Sequence, residues 1–171
     1  QGAVKKNTGV NYNQFINDAF AFYQAQWKDD AAKKTVQWIT KTQKNNVVNY
    51  RYPYMLNDGS ILALKATNKE VPALTVIHID GTENKTAVRD ITYDDYFSYN
   101  NGKIIYAAYQ PDVRWGNREY STIKIVDISS GEENKITSHT KYFSPDISHD
   151  SKKILVVENT AEQKSILRLM N

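Results

Sequence analysis

From Val47 onward the chain is written in short β-rich runs separated by glycine-bearing turns, and the rhythm restarts twice. Asn57-Asp58-Gly59, Asp80-Gly81, Asn101-Gly102 and Ser130-Gly131 are hairpin vocabulary. They predict strands at 50–56, 61–66, 73–79 and 85–91, then at 95–101, 103–109, 121–128 and 134–138. A third set begins at Tyr142, continues through 153–158 and closes with 165–170, one strand short of the others. The phase can be tested. Gly59 and Gly102 lie 43 positions apart, and Gly102 and Ser151 lie 49 apart. A feature shared by the first and third sets should therefore recur after 92 positions, which is the separation of Pro53 and Pro145.

A unit of about 40–50 residues with four strands matches one blade of a β-propeller, which must stack on its neighbours to bury both faces. The expected fold is mainly β: a partial β-propeller of about three four-stranded antiparallel blades, the last incomplete, behind an N-terminal helix. The blades fall at about 47–91, 92–140 and 141–171. The prolines suit a first strand that forms a sheet edge and can spare a ladder N–H.

Upstream, Phe15, Ile16, Ala19, Phe20, Tyr23 and Trp27 recur at helical spacing and predict one amphipathic helix over 13–28. An aromatic stripe of this kind is expected to be core. The Lys-, Thr-, Gln- and Asn-rich stretch 29–46 reads as a connector, with Asp29 and Asp30 able to cap a short second helix at Ala31 and Ala32. Residues 1–46 thus stand apart from 47–171.

Composition removes several function classes. The 22 basic and 19 acidic residues are scattered, so no stripe tracks a phosphate backbone and nucleic acid is not an expected partner. There is no cysteine, hence neither disulfide framework nor thiolate metal site. No apolar run approaches the roughly 20 residues that cross a bilayer. The polar stretch 1–11 lacks a signal-peptide core, so the compartment stays open.

Catalytic patterns are equally scarce. No HExxH pair, G-x-S-x-G elbow or phosphate-cradling glycine loop occurs. His78, His139 and His149 share no ligand spacing, so neither metal nor cofactor is expected. The adjacent carboxylates Asp94–Asp95 and Glu132–Glu133 should point to opposite faces of a strand.

The segment 110–120 stands out as much longer than the matching connection 68–72, and long loops hold function more often than short ones. Asp112, Arg114, Trp115, Asn117 and Arg118 would set a forked cation, an aromatic plate and an amide side by side, suited to a carboxylate, a peptide or a sugar ring. In the competing reading Trp115 plugs a neighbouring blade while Arg114 or Arg118 pairs with Asp112 or Glu119.

The run Tyr142-Phe143-Ser144-Pro145-Asp146-Ile147-Ser148, with Asp150, Lys152, Lys153 and Ile154, resembles the Ser-Pro-Asp and Asp-Gly-Lys-Lys repeat of TolB-like propellers. Ser151 departs from it, standing where that family prefers Gly, so an ordinary left-handed turn is not assured there. The string from Pro111 to Ser121, with the helix before it, is similar to a narrower group in which such a propeller follows a zinc-peptidase-like domain in exported bacterial proteins. The resemblance implies that residues 1–46 are the tail of that domain and that the parent ring has about six blades. It also implies a periplasmic or envelope location and no catalysis by this segment.

The expected function is therefore non-catalytic protein–protein interaction, docking on or gating the peptidase-like domain. Glycan or peptide capture at 110–120 is the alternative. A second alternative is a piece of a hydrolase whose active site lies outside this chain. An open arc of blades should also self-associate, because it leaves apolar faces uncovered.

Overall fold

The computed structural model describes residues 2–27, 37–41 and 44–171. They divide into two compact units, 1–38 and 39–171.

The first unit holds α1 (Gly2–Thr8) and α2 (Tyr12–Gln26). Between them Gly9 takes a φ of 77° and sends its N–H back to the Lys5 carbonyl, which ends α1. Asn11 caps α2, its side-chain oxygen accepting from the Gln14 N–H at 2.8 Å. The predicted helix is present, and α1 is an addition the polar start did not announce. The stripe is not core: no residue of α2 is buried, and Phe20, Phe22 and Trp27 are more than half exposed. The aromatics pack on one another instead, with Tyr23 stacked on Trp27 at 5.5 Å one turn on. The short helix expected at Ala31 lies outside the described residues.

The second unit is mainly β, with three antiparallel sheets in sequence order. The first contains β1 (Val48–Met55), β2 (Ile61–Thr67), β3 (Ala73–Ile77) and β4 (Glu83–Val88). The second contains β5 (Ser98–Asn100), β6 (Lys103–Pro111), β7 (Glu119–Asp127) and β8 (Glu133–Lys135). The third contains β9 (Tyr142–Ile147), β10 (Ile154–Asn159) and β11 (Ser165–Met170). Each is a meander in which every strand pairs with the next.

Strand alternation stacks these sheets. Along β6, Ile104, Tyr106 and Ala108 join Leu62, Leu64, Leu74 and Val76 of the first sheet in one buried cluster. Ile105, one residue out of phase, joins Ile123, Ile147 and Val156 in a second cluster shared with the third sheet. The middle sheet is thus covered on both faces.

The leading strands lie beside one another. The Arg51 guanidinium pairs with the Asp95 carboxylate. The Tyr54 hydroxyl donates to the Phe97 carbonyl at 3.1 Å. From β5, Ser98 Oγ donates to Asp146 at 2.5 Å, and Asn100 Nδ2 to the Ser148 carbonyl at 2.6 Å. The 92-residue phase survives in the backbone: Tyr52 and Ser144, each before a proline, have φ of 52° and 46° beside a break in register. Both prolines sit in edge strands.

Several strand and turn expectations need correction, β3 and β8 ending at Ile77 and Lys135, short of the expected 79 and 138. Ser151 does adopt the left-handed conformation, at φ 56°. Strand β4 stops at Val88, because Arg89 turns inward and is buried. Strand β5 shrinks to 98–100, because the carbonyls of Asp95 and Tyr96 accept from Arg89 Nη1 at 3.0 and 3.3 Å.

Candidate functional site

The segment singled out in the sequence is less of a loop than expected. β6 and β7 stay in register from Lys103 opposite Asp127 to Pro111 opposite Glu119, leaving only 112–118 as connection. The turn closes on itself, with Asp112 N–H donating to the Arg118 carbonyl at 3.0 Å and Arg118 N–H to the Trp115 carbonyl at 2.8 Å. Asp112 Oδ1 accepts from the N–H groups of Arg114 and Trp115 at 2.8 and 3.2 Å. These bonds, the Arg114 N–H first, hold the Asp112 carboxyl below the usual carboxylate range, with Arg118 and His139 adding to the effect.

The closed-loop reading holds only in part. Arg118 Nε approaches Asp112 Oδ2 at 4.0 Å, as the closed-loop reading expects. Trp115 plugs nothing: it is 66% exposed, and Val113 beside it is 96% exposed. Arg114 and Asn117 are exposed as well. Asp112 and Arg118 are therefore brought together, while Trp115, Arg114 and Asn117 face solvent around the turn.

The surroundings of the hairpin were not legible in the sequence. Where β5 no longer pairs with β6, Thr92 bridges to Ala108; where β8 no longer pairs with β7, Thr140 bridges to Ser121. The connections leading into β5 and β9 thus flank the hairpin. On one flank Tyr93 packs edge-on against Tyr109 at 5.3 Å and Phe143 at 5.4 Å, and its hydroxyl donates to the Tyr120 carbonyl at 3.2 Å. Burial, followed by the charge of Glu119, pushes the Tyr93 phenol up to about 12. On the other flank the Tyr120 ring lies 5.1 Å from His139, with the Arg118 guanidinium 5.2 Å and the Lys141 ammonium 6.0 Å from its centre. Gln110 fixes that flank, its Oε1 accepting from Thr122 Oγ1 at 2.5 Å and from the His139 N–H at 2.9 Å.

The arrangement is an exposed indole at the tip of the turn, with Arg118 and Lys141 over the Tyr120 ring on one flank and Tyr93 against Tyr109 and Phe143 on the other, without an activated nucleophile among the groups described. It can stack on a planar or sugar surface and pair with acceptors. The two carboxylate pairs go to separate partners: Asp94 caps the Tyr96 N–H while Asp95 meets Arg51, and Glu132 accepts from Asn134 while Glu133 meets Lys124 and Tyr106. Among the described residues no three His, Asp or Glu side chains converge as a metal cage, and no helix is long and apolar enough to cross a membrane. No protein-family model matches the chain, and no curated protein matches its sequence.

Proposed function

We propose that the chain is a non-catalytic segment of a TolB-like β-propeller that works through protein–protein contact, with the three meanders as successive blades. Three features support this reading: the in-phase recurrence of sheets, their face-to-face stacking, and the row of leading strands tied by Arg51–Asp95, Tyr54–Phe97 and Ser98–Asp146.

The uncovered face of the third sheet carries the interaction. Leu155 pairs with Leu169 and Val157 with Leu167, which sets these four on one face. Leu167 and Leu169 are 70% and 60% exposed. In the first sheet Leu62 pairs with Val76 and Leu64 with Leu74, and that face is buried under the second sheet. The same positions are apolar in both sheets, so the exposed set is shaped to receive another sheet layer. For this chain alone the occupant is a second copy. By the resemblance drawn from the sequence, the native setting is an exported bacterial protein in which the propeller docks on a peptidase-like domain.

Sedimentation equilibrium tests the reading. Association that rises with concentration is expected, and the double substitution Leu167→Glu with Leu169→Glu should abolish it without changing the far-ultraviolet spectrum. A wild-type chain that stays monomeric at every concentration reached would sink the proposal. The exposure of Trp115 favours a second reading, capture of a glycan or peptide at the 112–118 turn. Soluble oligosaccharides should then quench indole fluorescence in the wild type and not in Trp115→Ala.

A further inference from the structure

The three stacked sheets have two outer faces, and the two differ. In the first sheet Leu62, Leu64, Leu74 and Val76 face the second sheet, so alternation turns Ala63, Thr75 and Ile77 the other way. Those three are nonetheless only 1%, 3% and 3% exposed. On the same face Glu83 accepts from Tyr50 and Lys65, which ties β1, β2 and β4 together over it. This end of the stack is closed.

The other end is open. In the third sheet Val156 and Ile154 turn toward the second sheet, while Leu155, Val157, Leu167 and Leu169 turn away. Leu167 and Leu169 are mostly exposed.

That difference bears on how a second copy can be seated. A head-to-tail contact needs two different surfaces that fit each other. The sheet face that would complement the open one, on the first sheet, is buried. An isologous contact needs only one surface that fits itself. A two-fold axis sets each side chain near it against its own copy, so a charge there would meet its like. The four open residues are uncharged aliphatics in two cross-strand pairs, Leu155 with Leu169 and Val157 with Leu167. The charged residues of β10 and β11, Glu158 and Arg168, stand on the opposite face and pair with each other. Stacking of sheets over aliphatic sets of this make already occurs twice within the chain.

Given the self-association proposed above, on which this rests, we propose that two copies dock by the same face, the third sheet of one on the third sheet of the other about a two-fold axis. The contact uses up the open face of both copies, so assembly stops at two.

A charge swap followed by sedimentation equilibrium tests it. Leu167 is 70% exposed, so Leu167→Lys and Leu167→Glu should both keep the wild-type far-ultraviolet spectrum. Each variant alone should associate at least tenfold more weakly than the wild type, because like charges face each other across the axis. Their equimolar mixture should associate at least tenfold more tightly than either alone. Lys85→Glu, on the closed face opposite Thr75, should leave association unchanged. The wild-type mass should level off at two chains. A mixture no tighter than its components, growth beyond two chains, or loss of association in Lys85→Glu overturns the two-fold arrangement while leaving self-association standing. A wild-type chain that stays monomeric overturns both.

Discussion

Ser151 holds a left-handed backbone at φ 56°, where the equivalent turn of the first sheet has Gly59 at 81°. A side chain in that region costs about 1 kcal/mol or slightly more, and the Ser151 hydroxyl returns little, accepting from Asn100 at 3.4 Å. Ser151→Gly should therefore stabilise the chain by about 0.5–1 kcal/mol in urea unfolding, after the extra backbone entropy of glycine. The turn aspartates have the opposite character. Asp58, Asp80, Asp127 and Asp150 each accept from a neighbouring Ser or Thr hydroxyl and from a backbone N–H, and these bonds hold all four carboxyls below their ordinary value. The fold thus favours the ionised form. Its stabilisation is complete above the unfolded value of about 4 and is lost as pH falls through the lower folded values. Urea midpoints should drop below pH 4, and the drop should flatten when the four are changed to Asn, which keeps an acceptor oxygen without titrating.

At the scale of elements, the strands legible in the sequence were those whose fate is local. β2, β6 and β11 begin where the sequence reading put them and β10 one residue later; for β2 and β6 the turns at Gly59 and Gly102 fix where the hairpin starts. β4 and β5 were misjudged at their ends because a single residue, Arg89, takes the carbonyls that a longer β5 would have offered to β6. The same region contains Tyr106, fully buried, which donates to Glu133 and accepts from the Asp90 N–H at 3.3 Å. Tyr106→Phe should cost about 1–3 kcal/mol, since it strips Glu133 of one donor and leaves a backbone N–H without a partner. Leu64→Ala, between the first two sheets, should cost about 2–5 kcal/mol. Equal urea midpoints for these variants and the wild type would contradict the stacked arrangement.

For the molecule as a whole, association and stability should separate. Leu167 and Leu169 are largely exposed, so replacing them with Glu should leave the urea midpoint nearly unchanged while removing self-association. A large fall in the midpoint would show that this face is already covered within the chain. The aromatic stripe of α2 carries the converse lesson. Its spacing promised core, yet no residue of the helix is buried. Helical periodicity reports which face is apolar and leaves open whether a partner covers it.

The sequence by itself determined the repeat, its phase and the turns that punctuate it, because turn chemistry and strand alternation act between residues close in the chain. It also singled out 110–120, by loop length and residue types, while the strand register narrowed the connection to 112–118. Only the tertiary structure decided what stands beside that tip, since Tyr93, Tyr120, His139 and Lys141 arrive from other connections through two isolated bridges. It alone exposed the unsatisfied Nε of Arg89, because burial and the absence of an acceptor depend on packing among segments far apart in sequence.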